Sequence, residues 1–389
     1  MLSPHERKIF SDEHHAFRDS VRRFFQREIE HNIRHWERRG GFDRSVVRKA
    51  GEAGILCPMI PAEYGGAGGD ILHEIVLAEE HGYSPAGAAF DSGLAVDLAA
   101  LVVLEGGTEQ QKKHWIPKYV SGEVNSDVLV TEPHSGSDVA SVRTTARRDG
   151  NDYVINGAKT WITCLHLSDV LPVVARTDDA KRGTKGLSIF MVDPSLPGVA
   201  IGKPIETMLR SAGNVGMVSF ENVRVPAQSL LGGEVGQGMR QAFACLNVGR
   251  LCLAARMLAA CELAFKMTVE FVKTREAVGQ RIIDFQNTQF RLADMKTEIT
   301  VGRGFLDTLL ERAVSGAVTV EETSMAKLWI SELEGRVMDQ ALQLHGGMGF
   351  ADDHPISKMY SFARVHRIYV GTSEIHRHII GRNIQAGDT

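Results

Sequence analysis

The apolar spacing along this 389-residue chain changes twice, from steps of three and four to β-branched runs and back again. In the first third Phe17, Val21, Phe24, Phe25, Ile29, Ile33 and Trp36 form the stripe of an amphipathic helix. Further helices are expected at about 43–53 and 70–81, separated by a glycine cluster from Pro61 to Gly69. That cluster reads as a turn, since no strand precedes it and a dinucleotide fingerprint needs one. From about residue 124 the texture is β: runs at 152–155 and 158–163 flank Asn156-Gly157, a strong hairpin signal, and runs at 170–175, 187–192 and 215–225 follow. After Gly232, Gly233, Gly236 and Gly238 the helical period returns, with Leu292, Met295, Ile299, Leu306 and Leu309 on one face. Met325, Trp329, Leu333, Val337, Ala341 and Leu344 mark the next helix. Without β-α alternation or repeats, this order implies an α+β class. The expected parts are an N-terminal helical domain (1–123), a middle β domain (124–231) and a C-terminal four-helix bundle domain (232–389).

The formal charge of -4 and a pI near 6.4 leave no general positive field, so neither nucleic acid nor an anionic membrane is an expected partner. No run of eighteen apolar residues suggests a membrane span. Glu6, Asp12 and Glu13 come early with no apolar segment behind them, which argues against a targeting peptide; a cytoplasmic enzyme and a mature organellar chain look alike here, and a cytoplasmic location is the expectation. The five cysteines are odd in number and lack a CxxC spacing. They read as reduced thiols, with Cys245 and Cys252, one heptad apart, as small buried apolar groups. His14-His15, His31–His35 and His376–His378 show no HExxH arrangement, so no metal is expected and these side chains read as solvated or capping.

The run Val130-Thr131-Glu132-Pro133-His134-Ser135-Gly136-Ser137-Asp138 resembles the signature of the acyl-CoA dehydrogenases. Four further blocks agree in order and spacing: Trp161-Ile162-Thr163; Arg275 to Gly279 with Phe285-Gln286; Gln343 to Phe350; and Tyr369 to Ile375. Alone, each has a plainer reading. Thr131 to Ser137 can be a polar loop, Trp161 a core aromatic, Arg275 a solvated charge at a helix end, and Gly346-Gly347 a C-cap. The same residue types also suit a flavin: hydroxyls and glycine amides for its polar edge and pyrophosphate, a flat apolar wall for its ring, and an arginine fork for phosphate.

The resemblance implies an FAD-dependent oxidoreductase of lipid metabolism, most like the long-chain and branched-chain branch. It implies flavin contacts from Val128, Val130, Thr131, Gly136, Ser137, Trp161, Ile162 and Thr163 in the β region. From a neighbouring subunit it implies contacts at Arg275, Gln343, Gly346 and Gly347, with Phe285, Gln286, Leu344, Thr372 and Glu374 completing the set. Sharing of this kind implies a homotetramer. Ser137, Asn247, Arg250 and Gly371 match substrate-side positions for an acyl-CoA or acyl-carrier thioester, and the implied redox partner is an electron-transfer flavoprotein or another acceptor.

Desaturating a thioester needs a base for the α proton, a hydride acceptor, and donors for the charge developing on the thioester oxygen. In the family the base is a glutamate before the residue matching Gly371, or else before the one matching Arg250. Here those positions hold Val370 and Gly249, so no catalytic base is named. The main reading is α,β-dehydrogenation by another route, since loss of a general base slows a reaction by about 10²–10⁴-fold without abolishing it. Flavin-dependent oxygen chemistry on a non-thioester substrate, and flavin or thioester binding without turnover, are the alternatives.

Overall fold

The computed structural model describes residues 6–90, 94, 98–181, 183–209 and 211–387. In chain order its helices are α1 (Asp12–Phe24), α2 (Ile33–Arg39), α3 (Ser45–Glu52), α4 (Ile71–Tyr83), α5 (Leu98–Gly106), α6 (Glu109–Val120), α7 (Gly238–Ala244), α8 (Leu246–Thr274), α9 (Gln286–Val314), α10 (Val320–His345), α11 (Gly347–Phe350), α12 (Pro355–His366) and α13 (Ser373–Ala386). The strands are β1 (Thr145–Asp149), β2 (Asp152–Thr163), β3 (Leu171–Arg176), β4 (Leu187–Val192), β5 (Val199–Ile201), β6 (Val215–Pro226), β7 (Glu276–Ala277) and β8 (Gln280–Arg281). The N-terminal stripe is therefore not one helix: a π-helical stretch, Phe25–Glu30, lies between α1 and α2. By contact the chain groups into two units, residues 1–33, 70–90 and 247–389 in one, and 34–69 and 91–246 in the other.

The first unit is helical. Ser11 caps α1 through a capping box, α1 packs on α4, and α10 packs against α9, α12 and α13. The α9 stripe expected from the sequence is buried throughout. On α10 the buried line is Ala326, Ile330, Leu333, Val337 and Ala341, whereas Met325, Trp329 and Leu344 are only partly covered. The shift arises because α10 is gripped by three helices, which rotates its apolar centre. Met325 and Trp329 instead line an open apolar groove with Val301, Phe305, Leu328 and Ile380. The segment Gly238–Thr274 is long and apolar enough to cross a membrane, but 61% of its most apolar window is buried in the protein. Glu79, wholly enclosed, meets Arg18 at 2.8 Å, Arg303 at 2.6 Å and also Arg7. Burial alone would raise its pKa, yet Arg303, Arg7 and Arg18 outweigh burial and hold it at about 2.

The second unit is built on a six-stranded sheet ordered β4-β3-β1-β2-β6-β5, with Ile155, Ile162, Val173, Phe190, Val192 and Phe220 in its core. One sequence expectation fails here. Asn156-Gly157 is not a turn, because β2 runs straight through it with a register irregularity against β6. Asn156 Oδ1 accepts from the Asn222 N–H at 2.8 Å, and a Cβ on Gly157 would lie 2.5 Å from Thr144 Oγ1, so the glycine serves close approach. The hairpin forms one strand earlier, where Asp149 pairs with Asp152 around Gly150 at φ 62° and creates the unanticipated β1. All five cysteines are free and buried, and burial raises the Cys245 thiol to about 12.

Candidate functional site

In the second unit the signature run is organised by a buried charge pair. Lys159 is fully enclosed on β2, donating to Glu132 at 2.8 Å and to the Val130 carbonyl at 2.9 Å. The Glu132 carboxylate also receives the N–H groups of Arg143 at 2.8 Å and Thr144 at 2.9 Å. Burial pulls the Lys159 pKa down to about 8 against the opposing pull of Glu132. Glu132 and Ser135 close a tight turn by exchanging backbone bonds, and the Thr131 carbonyl accepts from Thr160 N at 3.0 Å. The loop leaves Gly136 and Ser137 exposed, with no heavy atom within 4 Å of the Cβ position of Gly136. Among the described residues their amides have no backbone acceptor, which leaves N–H groups free for an anion.

Trp161 lies 59% exposed at φ 61°, beside the irregularity between Lys159 and Ile162. An exposed indole on a left-handed backbone is an arrangement that packing in the chain does not reward. Thr163, also half-covered, lies two residues on, while Ile162 points into the core, so any cofactor contact from Ile162 is through its backbone. Val128 and Val130 are half-buried at the foot of the loop.

The first unit gathers its candidates at two places. Arg291 on α9 bonds Gln340 on α10 at 2.6 Å, and Phe271 on α8 stacks on His345 at 4.6 Å. These contacts bring Arg275, Phe285, Gln286, Gln343, Leu344, Gly346 and Gly347 to one end of the bundle. Arg275 is exposed there, Gly346 adopts φ 58°, and Met348 and Phe350 are 55% and 80% exposed. The second place is about 24 Å along α10 by helical rise, at Lys327. Lys327, fully buried, donates to the Gly371 carbonyl at 2.7 Å. Arg250 is buried one turn from Asn247, whose Oδ1 accepts from Thr323 Oγ1 at 3.0 Å. Val370 stands at φ 52° and Gly371 at φ 91°, and a valine in that region is strained. Beneath them lies His376, its Nε2 3.0 Å from where a Cβ on Gly371 would be. Burial first, then Lys327 and Arg250, push the His376 pKa down to about 4, so its ring is neutral at pH 7. Thr372 caps α13, and Glu374 is exposed in its first turn.

The acyl-CoA dehydrogenase N-terminal, middle and C-terminal domain families match residues 11–123, 128–223 and 236–385. The chain belongs to the acyl-CoA dehydrogenase family. It is 39% identical over 380 residues to the mitochondrial long-chain specific acyl-CoA dehydrogenase of Mus musculus, covering 97% of this chain and 88% of that protein. A crystal structure of acyl-CoA dehydrogenase from Geobacillus kaustophilus superposes with a TM-score of 0.92 at 38% identity, covering 97% of this chain and 99% of the other. A Mycobacterium smegmatis glutaryl-CoA dehydrogenase in complex with FADH2 superposes with a TM-score of 0.89 at 26% identity, covering 97% and 96%. Like other acyl-CoA dehydrogenases, the chain is an oxidoreductase acting on CH–CH groups.

Residues of the acyl-CoA dehydrogenase blocks suit a flavin on structural grounds: free amides at Gly136 and Ser137, the bare indole of Trp161, and an exposed Arg275 at the bundle end. Three contributors were missed from sequence. Lys159 carried a signal, since it falls on the inward parity of Tyr153 and Ile155, where a lysine needs a buried partner. Lys327 carried one too, lying four residues after Thr323 and three before Ile330 on the buried side of α10. Nothing in the sequence marks His376 as lying beneath Gly371. The only potential metal-ligand group among the described residues is His14, Asp70 and His73. Asp70 Oδ1 lies 2.9 Å from His14 Nε2 and 2.8 Å from His73 Nδ1, the latter accepting from the Asp70 N–H, and Asp70 and Ser11 cap the two helices, so capping accounts for the arrangement.

Proposed function

We propose that this acyl-CoA dehydrogenase removes hydrogen across the α–β bond of an acyl thioester without a glutamate at either family base position. The observation that carries this reading is the Val370–Gly371 corner. Lys327 holds the Gly371 carbonyl, and among the described residues the Val370 N–H has no acceptor in the chain, which leaves it free to meet a developing oxyanion. Valine at this position preserves that donor and removes the base. The cofactor is FAD, which accepts the hydride when bound. Val128, Val130, Thr131, Gly136, Ser137, Trp161, Ile162 and Thr163 hold it from the β unit, and the bundle-end residues, with Thr372 and Glu374, supply the rest. Arg250, Asn247, Gly371 and Ser137 bind the thioester.

The same reading includes domains at 1–123, 124–231 and 232–389, a homotetramer, an electron-transfer flavoprotein as acceptor and a cytoplasmic location. The apolar groove lined by Trp329 and Ile380 supports association. Anaerobic mixing of the yellow protein with a series of acyl-CoA thioesters tests the reaction. Bleaching of the oxidised flavin band that depends on chain length is expected, at a rate about 10²–10⁴-fold below that of an enzyme with its base in place. Val370→Glu or Gly249→Glu is expected to speed bleaching. Protein that is colourless and gains no flavin spectrum from added FAD overturns the cofactor assignment. Flavin that no thioester bleaches overturns the reaction.

A further inference from the structure

Arg250 is 6% exposed, its Nε is enclosed without a partner, and among the described residues no hydrogen bond reaches its guanidinium. Lys327, beside it, is fully buried and uses one of its three protons on the Gly371 carbonyl. Asn247 and Thr323, about one turn before Arg250 and Lys327, join the two helices at 3.0 Å, Arg250 disfavours the charge on Lys327, and burial weakens the charged form of both. His376 faces the same region but is neutral at pH 7, its ring turned toward the Val370 and Gly371 backbone. The carboxylates that act on Lys327 are occupied or remote. Glu332 is bound by Ser373 at 2.7 Å and Arg367 at 3.1 Å, Glu334 is bound by His366, and Glu374 is 80% exposed. Gly249 and Val370, the residues preceding Arg250 and Gly371, bring no charge. Two positive charges thus share an enclosed region without a free carboxylate among the described residues. The guanidinium retains a planar fork of donors suited to two carboxylate oxygens, and Lys327 adds a third.

We propose that Arg250 and Lys327 form a receptor for a carboxylate, and that the acyl unit of the substrate carries the free carboxylate that completes it. The inference rests on the acyl-thioester reading and narrows the substrate class to thioesters of dicarboxylic acids. Burial of an unopposed charge is unfavourable, and a ligand anion relieves it only when bound, which favours an acid over a neutral acyl group of equal length.

The test uses FAD-loaded protein and matched pairs, glutaryl-CoA against pentanoyl-CoA and adipoyl-CoA against hexanoyl-CoA, followed by perturbation of the flavin spectrum. The carboxylated member should bind at least about tenfold tighter to the wild type, lose that advantage in Arg250→Gln and keep part of it in Arg250→Lys. A wild-type difference below about twofold, or an advantage that persists in Arg250→Gln, overturns the receptor. Ligand-free Arg250→Met should melt at or above the wild-type temperature. A fall would show that the guanidinium already has a counter-charge and would equally overturn it. If no acyl-CoA perturbs the flavin, the thioester reading has failed, and the receptor is then judged by thermal shift with glutarate against glutaramide. Stabilisation by glutarate alone, absent in Arg250→Gln, upholds the receptor, and an equal response to both, or none, refutes it.

Discussion

Two lysines, Lys159 and Lys327, are both fully buried, both donate to a backbone carbonyl and both have a pKa drawn down to about 8, yet their surroundings differ. Lys159 has Glu132 at 2.8 Å, whose second oxygen and backbone partners knit the signature loop to β2. Lys327 has Arg250 for a neighbour, and repulsion adds to burial. The first is a closed clasp that shapes a loop and leaves its outer amides free. The second is an unbalanced pair whose electrostatics are resolved by something that binds. Similar titration behaviour thus conceals opposite roles, and the partner list separates them.

Removing one partner from the clasp should have the largest effect. Lys159→Met strands the Glu132 carboxylate in the core and is expected to cost about 3–5 kcal/mol in urea unfolding, with flavin lost from the folded fraction. Lys327→Met at pH 7 should stay within about 1 kcal/mol of wild type, because it deletes one hydrogen bond and one repelled charge together. Equal losses from the two substitutions would erase the distinction. The pH dependence comes next. The folded pKa of Lys327, about 8, lies below its unfolded value of 10.5, so the unfolded chain binds more protons between them and stability rises with pH across that window. The share of the rise due to Lys327 should reach about 3 kcal/mol at most and be lost in Lys327→Met, which keeps the share due to Lys159, as read from urea midpoints at pH 8 and 10.

Val370→Gly should stabilise the ligand-free chain by about 1 kcal/mol by releasing the left-handed valine, and a loss of stability would mean the corner is not strained. The smallest stability change is expected from Trp161→Ala, within about 0.5 kcal/mol because the ring is 59% exposed. Its FAD affinity, measured by fluorescence titration, should nevertheless fall by about tenfold or more. Retained affinity would remove Trp161 from the cofactor wall.

The helix–strand–helix order, the α9 stripe, the reduced cysteines and the family were legible in the sequence, because hydrophobic periodicity and ordered motif blocks are local properties of the chain. The vacancies at Val370 and Gly249 were equally plain. The hairpin was misread because 149–152 and 156–157 both carry turn chemistry, and only pairing with β6 decides that β2 continues through the second. The α10 stripe was offset because three neighbouring helices, not the helix itself, select the buried side. That Lys159 meets Glu132 while Lys327 meets Arg250 depends on residues 27 and 77 positions apart in sequence. Only the tertiary structure decides such pairings, because the energy of a buried charge is set by what the fold places within a few ångströms of it.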